Sequence, residues 1–302
     1  MIARTVTMWI RDLTEEGIEP HPGPRYLSKN LNSIHGKNKL YNTLKRIRRE
    51  STHTPITALF IQDHRLGPSR AAEIETLARG MKLLAITAHA PPHPRTKICY
   101  GGTMIVIPHE SIEVEKNETM QDACDRTKAT KKAAARGRYL TVTMKVDTAK
   151  RKLVAAYAPA KPSDRPTFFN TIAPRLTRRT VLGIDANCVP DTTLDLQRDA
   201  TTPYRNEGAD ILSDAIDRKG LVDVVREIKG NEPCFTAHHV VAGGTCWSRI
   251  DQIYIPRDGS AHYALGPAND IFPQHSEVEI DHNMVDVRTK KSNRSGAATL
   301  RA

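Results

Sequence analysis

The chain has 302 residues, of which 39% are hydrophobic and 5% aromatic, with a formal net charge of +11 at pH 7 and a pI near 9.5. That apolar content supports a folded core and excludes wholesale disorder, and the scarcity of aromatics excludes an extended single-strand stacking platform as the main activity. The basic balance favours a polyanionic partner, with nucleic acid ahead of membrane; the simpler alternative is a Lys/Arg surface kept for solubility.

Five cysteines (Cys99, Cys124, Cys188, Cys234 and Cys246) are odd in number and lack framework spacing. This pattern points to free thiols in a reducing compartment. Cys234, His238, His239 and Cys246 match no common zinc-finger spacing. No apolar run approaches membrane-spanning length, so no membrane partner is expected. Arg4, Arg11 and Asp12 make the N-terminus unlike a signal peptide. Residues 1–24 read as a leader ending in the turn-prone Pro20-His21-Pro22-Gly23-Pro24.

Folding is expected to begin near Tyr26. Leu40, Leu44 and Ile47 follow helical spacing in a basic helix, and Ile56–Ile61 reads as a buried strand. A short helix is expected over Glu73–Arg79, stopped by Gly80. Strands then dominate: Lys82–Thr87, Gly102–Ile107, Tyr139–Val146 and Leu153–Tyr157. Gln121–Arg138, rich in Lys, Arg and Ala, reads as a mobile basic loop or a frayed helix. A helix is expected over Phe168–Leu176, bent or ended by Pro174. After it come a strand at Val181–Ile184, a helix at Ala209–Lys219 closed by Gly220, a hairpin over Thr236–Trp247, and strands at Ile250–Ile255 and Met284–Val287. Residues 289–302 are basic and polar and are expected to be disordered. Strands with short helices between them indicate an α/β fold, a two-layer β-sandwich flanked by helices (α/β/β/α), occupying residues 25–288 as one domain.

Phosphodiester hydrolysis needs oxygen ligands for a hard divalent cation, a group that orients water, and donors around the phosphate. Candidates recur at expected strand ends. They are Asn30-Leu31-Asn32-Ser33, Gln62-Asp63-His64, Tyr157-Ala158-Pro159, Asp185-Ala186-Asn187, Ser248-Arg249-Ile250-Asp251 and Asp281-His282. Singly, each reads more simply as a turn former, a helix cap or a core polar group. Their order, once each along a chain of this size, is what carries weight.

That ordered set resembles the endonuclease/exonuclease/phosphatase superfamily, which includes pancreatic DNases and apurinic endonucleases, over roughly Tyr26 to Arg288. In detail it looks most like the apurinic-type endonuclease domains of LINE-type (non-LTR) retrotransposons. The residues behind this are Asn30-Leu31-Asn32-Ser33-Ile34, Tyr157-Ala158-Pro159 with Arg165 and Phe169, Gly220-Leu221-Val222-Asp223-Val224, and Ser248-Arg249-Ile250-Asp251. The leader segment Gly17-Ile18-Glu19-Pro20-His21-Pro22-Gly23-Pro24 is similar to ribosome-skipping peptides, with His21 where those carry Asn, so it reads as a degenerate copy; a Pro-rich segment of no special meaning is the alternative.

The resemblance implies a DNase-like fold and a Mg²⁺-dependent DNA endonuclease, with Mn²⁺ as an alternative ion, that nicks double-stranded target DNA for retrotransposon insertion. Asn30, Asn32, Asp63 and Asp281 would form the metal side. Asp185 would orient or deprotonate water, Asn187 and Tyr157 would donate to the phosphate, and His282, its ring held by Asp251, would stabilise the developing charge. Partners would be double-stranded DNA and the RNA or reverse transcriptase of the same element, with synthesis in the cytoplasm and action in the nucleus. Three positions depart from the family pattern: Asp63 replaces Glu, Ser33 replaces Gly and Ile280 replaces Ser. The alternative functions are a phosphatase of the same superfamily acting on small phosphoesters, and a catalytically decayed DNA-binding copy. Lys128–Arg138 is expected to contact DNA, with a solvated loop as the plainer reading.

Overall fold

The computed structural model describes residues 25–31, 37–53, 56–89, 92, 95–96, 99–109, 128–131, 137–146, 149–199, 203–241, 244–257, 263–265 and 285–289. Asn32, Asp281, His282, the leader and residues 290–302 of the basic tail lie outside them, as do residues 121–127 and 132–136 of the basic stretch; Thr289, expected in the disordered tail, instead ends a strand paired with Tyr263.

Among the described residues, two six-stranded sheets and a three-stranded sheet form the framework. The first sheet contains β1 (Arg25–Asn30), β2 (Ala58–Gln62), β3 (Leu83–Ala88), β4 (Thr103–Pro108), β14 (Tyr263–Leu265) and β15 (Val285–Thr289), in the order β14-β15-β1-β2-β4-β3. The second contains β5 (Lys128–Lys131), β6 (Tyr139–Val146), β7 (Ala149–Tyr157), β8 (Thr180–Asp185), β10 (Leu221–Asp223) and β13 (Asp251–Pro256), in the order β10-β13-β8-β7-β6-β5. The small sheet pairs β11 (Ala237–Val241), β12 (Gly244–Ser248) and β9 (Leu196–Arg198).

Period-two alternation explains the layers. Tyr26, Phe60, Ile105, Leu140, Val142, Leu153, Ala155, Val181 and Ile253 meet in one cluster between the sheets. The alternate residues of the first sheet, Leu27, Leu59, Ile61, Met104 and Val106, pack against Leu40, Leu44 and Ile47 of α1 (Lys37–His53) and Ala71 and Ala78 of α2 (Pro68–Gly80). Those of the second, Val154, Ala156, Leu182 and Ile184, pack against Phe168, Phe169 and Ile172 of α3 (Arg165–Ile172) and Leu212 and Ile216 of α4 (Ala209–Arg218). The result is the expected α/β/β/α sandwich.

Three local expectations differ from the structure. Arg25–Asn30 is itself a strand, pairing parallel with β2 and antiparallel with β15; its Ser and Asn hide a buried strand from a pattern that looks for apolar residues. The helix expected over Phe168–Leu176 begins at Arg165 and gives way at Ala173 to a 3₁₀ turn containing Pro174, because proline cannot continue the α-helical ladder. Within the basic stretch, Lys128–Lys131 pairs with β6 as an edge strand and is neither a loop nor a frayed helix, while Arg138 stands in the bend before β6 with its guanidinium against Tyr157.

The two sheets come into close contact at Gly183. A Cβ added there would lie 2.4 Å from Cγ of Phe60 on the facing sheet. Gly183→Ala is therefore expected to cost about 1–3 kcal/mol by overpacking, read as a lower urea midpoint, with partial recovery on adding Phe60→Leu. An unchanged midpoint would show that the sheets can part without penalty.

Candidate active site

Both sheets have a parallel central pair. The helix α1 joins β1 to β2 and α3 joins β7 to β8. A strand–helix–strand unit returns the chain so that both strands end at the same sheet edge. The inward residues at those ends are Asn30, Gln62, Tyr157 and Asp185. Antiparallel β13 begins where β8 ends, so Asp251 is the register partner of Asp185.

The Asn30 amide nitrogen donates to Asp185 Oδ2 at 2.6 Å, joining the two sheets through polar side chains. Asp185 Oδ1 accepts from the backbone N–H of Asn187 at 2.9 Å, and the Asn187 amide donates to the Ala158 carbonyl at 3.0 Å. Asn187 has φ 50°, a left-handed conformation that asparagine tolerates better than most residues. Asp185 is thus a buried carboxylate held from two directions. Asp251 is also buried, with its N–H and that of Ile250 both donating to Thr236 Oγ1 at 3.0 and 3.1 Å. Two carboxylates facing each other across neighbouring strands repel, an arrangement that favours a cation nearby.

Tyr157 is the register partner of Asp185 on the neighbouring strand, and the Arg138 guanidinium lies 4.5 Å from its ring centroid. Burial first, and then Asp63 and Asp185, push its pKa up, so the phenol remains an O–H donor at neutral pH. The following loop is fastened by buried Arg165, which donates to the carbonyls of Pro159, Ala160 and Arg205.

The Asp63 loop is built by contacts that the sequence did not reveal. Asp63 and Arg65 both have positive φ, 50° and 53°. Their loop clasps Gly101-Gly102 through His64 N–H to Gly102 O at 3.4 Å and Arg65 N–H to Gly101 O at 2.8 Å. Asp63 Oδ1 accepts from Gly101 N–H at 3.1 Å, and Oδ2 accepts from Arg65 Nε at 3.0 Å and Nη2 at 2.7 Å. Gly102 has φ +100°, and a Cβ there would fall 2.4 Å from the His64 ring, so glycine is required twice over. The adjacent Gly101-Gly102 pair was the available signal.

His64 is wholly buried. Leu66 N–H donates to its Nδ1 at 3.0 Å, which leaves Nε2 as the protonated nitrogen, 3.2 Å from the Thr103 carbonyl. Burial, the largest cause, pushes its pKa down from 6.5 to about 4. Stability resting on the neutral ring is complete above the unfolded value of 6.5 and drains as pH falls toward 4, where the unfolded chain binds a proton that the native chain does not. The full loss is on the order of 3 kcal/mol. Urea midpoints at several pH values should fall through this window, and His64→Gln should flatten the trend; an equal slope in that variant would remove His64 as the cause.

The predicted residues Asn30, Asp63, Tyr157, Asp185, Asn187 and Asp251 are all described, and they converge at one end of the sandwich. Asn32, Asp281 and His282 lie outside the described residues. Among the described residues no group of three or more His, Cys, Asp or Glu is disposed to hold a metal, and no helix is long and apolar enough to cross a membrane. A cavity of about 300 Å³ lies beyond the second sheet, lined in part by Leu212, Ile216, Leu221 and Tyr254. It contains none of the six converging residues.

No family model matches the sequence, and no curated protein is similar to it. Solved structures share its fold. An AP endonuclease from Leishmania major is 14% identical with a TM-score of 0.63, covering 92% of this chain and 90% of its own. A 3'-5' exonuclease from Neisseria meningitidis is 15% identical with a TM-score of 0.57, covering 88% and 100%. The endonuclease domain of TRAS1, a telomere-specific non-LTR retrotransposon, is 14% identical with a TM-score of 0.51, covering 89% and 99%. The sandwich is therefore the DNase I-like fold of these neighbours.

Proposed function

We propose that this protein is a divalent-metal-dependent phosphodiesterase that nicks double-stranded DNA. The observation that carries the reading is the 2.6 Å hydrogen bond by which Asn30 of one sheet orients Asp185 of the other. It sets a buried carboxylate beside Tyr157, at the end of a fold shared with AP endonucleases and an exonuclease.

Asp185 is held by Asn30 and by the Asn187 N–H, and it accepts a proton from water as that water forms a bond to phosphorus and the bond to the leaving oxygen breaks. Tyr157 donates its O–H to a phosphate oxygen, and the second N–H of the Asn187 amide supplies another donor. The motif resemblance would give His282, paired with Asp251, the role of carrying positive charge toward the phosphorane. Mg²⁺, or Mn²⁺ in its place, suits the donor set, since the Asn30 amide oxygen and the Asp63 carboxylate are hard ligands that Asn32 and Asp281 would complete. When bound, such an ion neutralises charge on the phosphate and the leaving oxygen.

The formal charge of +11 suits DNA, whose phosphates it would meet in a salt-dependent manner. The finer reading is target-DNA nicking for retrotransposon insertion in the nucleus, alongside the element's own RNA or reverse transcriptase. Its supports are the ordered motifs and the fold shared with the TRAS1 domain. Nicking of supercoiled plasmid with Mg²⁺, lost on adding EDTA, is the test. Phosphate release from small phosphoesters without nicking would favour a phosphatase, and DNA binding with neither activity would mark a decayed copy.

A further inference from the structure

We propose that Arg65 is a built-in competitor for the metal ion, clasping the Asp63 carboxylate and thereby setting how tightly this site takes a divalent cation. The proposal rests on the metal-dependent reading above and concerns a residue to which that reading gives no role.

Both oxygens of Asp63 are engaged by the chain itself. Oδ1 accepts from Gly101 N–H, and Oδ2 accepts both the Nε and Nη2 arms of Arg65. The clasp is local and depends on backbone geometry, because left-handed φ at both Asp63 and Arg65 folds residues two apart onto the same side. Asp63 is one methylene shorter than glutamate and stays within the reach of this loop.

An oxygen that binds Mg²⁺ at about 2.1 Å cannot also keep a guanidinium without bringing two cations within a few ångströms of each other. Metal entry and the Asp63–Arg65 fork therefore exclude one another at Oδ2. The partner able to leave is the arginine, whose side chain is 28% exposed, whereas that of Asp63 is 3% exposed. A guanidinium stays protonated at any working pH, so the competing charge persists.

Mn²⁺ binding without DNA, followed by electron paramagnetic resonance of the free ion, tests this independently of activity. Arg65→Gln removes the charge and is expected to tighten binding about tenfold, the opposite of the tenfold or greater loss expected if Arg65 merely supported the ligand. Arg65→Lys keeps the charge but loses the fork and should fall between the two. Asp63→Asn should weaken binding, and adding Arg65→Gln to it should give no tightening. Equal affinity in the native protein and Arg65→Gln, with thermal unfolding showing both folded, overturns the competitor while leaving the metal reading intact. No Mn²⁺ bound by any variant overturns the metal reading and the competitor together.

Discussion

Arg249→Ala is expected to destabilise the protein by about 3–5 kcal/mol, the loss typical of stripping one partner from a buried ion pair. Arg249 is among the largest fully buried side chains, at 0% exposure. Its Nε and Nη2 fork onto Asp195 at 2.7 and 2.9 Å. Asp223 Oδ2 lies 2.8 Å from Nη2, and Arg226 Nη2 lies 3.0 Å from Asp195 Oδ1. These last two are charge contacts by distance rather than aligned hydrogen bonds. Burial works to lower the Arg249 pKa, but Asp223 and Asp195 outweigh it and hold the guanidinium charged.

Without Arg249, fully buried Asp195 keeps Arg226 as its cationic partner and loses its bidentate one. Asp223 also caps α5 (Val224–Lys229) through the N–H groups of Val225 and Arg226. Urea unfolding should read the loss, and an Arg249→Met/Asp195→Leu pair should recover much of it, since a well-packed apolar pair can match a buried ionic one. A loss below about 1 kcal/mol for Arg249→Ala would contradict the account. Arg249 stands two residues before Asp251, so nicking should fall along with stability.

Asp185→Asn is expected to lower the nicking rate by about 10²–10⁴, the usual worth of a positioned general base. Asparagine retains the volume and an oxygen that can accept from Asn187 N–H. Its amide nitrogen would meet the Asn30 amide nitrogen, donor against donor, unless one of them turns over. With the Asn30 amide turned over, its oxygen accepts from the new amide, so thermal unfolding should shift little while catalysis collapses. Plasmid nicking within tenfold of the native rate would sink the role of Asp185 and the site built around it.

Much of this site was legible as strand alternation. Phe60-x-Gln62, Ala155-x-Tyr157 and Gly183-x-Asp185 each put a polar residue on the core face at a strand end, where burial without purpose is costly. The apolar partners of those patterns form the inter-sheet cluster. The basic stretch misled because edge strands carry charge by design against aggregation, so Lys128–Lys131 resembled a loop. The first strand is not legible in the apolar pattern because Ser28 accepts from Gln62 inside the sandwich, at 3.0 Å, at a position where a buried strand ordinarily carries an apolar residue.

The sequence by itself determined the layer architecture, the inward faces of the strands and the residues with the right chemistry for a phosphate site, because period-two alternation and residue type are local properties. Only the tertiary structure decided that Asn30 holds Asp185 across 155 positions, and that Arg249 and Asp195 pair across 54. It also decided that Arg65 clasps Asp63 through two left-handed residues. The first two contacts arise from strands brought to a common edge by their connecting helices and from a buried charge cluster. The third arises from backbone dihedrals that no side-chain pattern records.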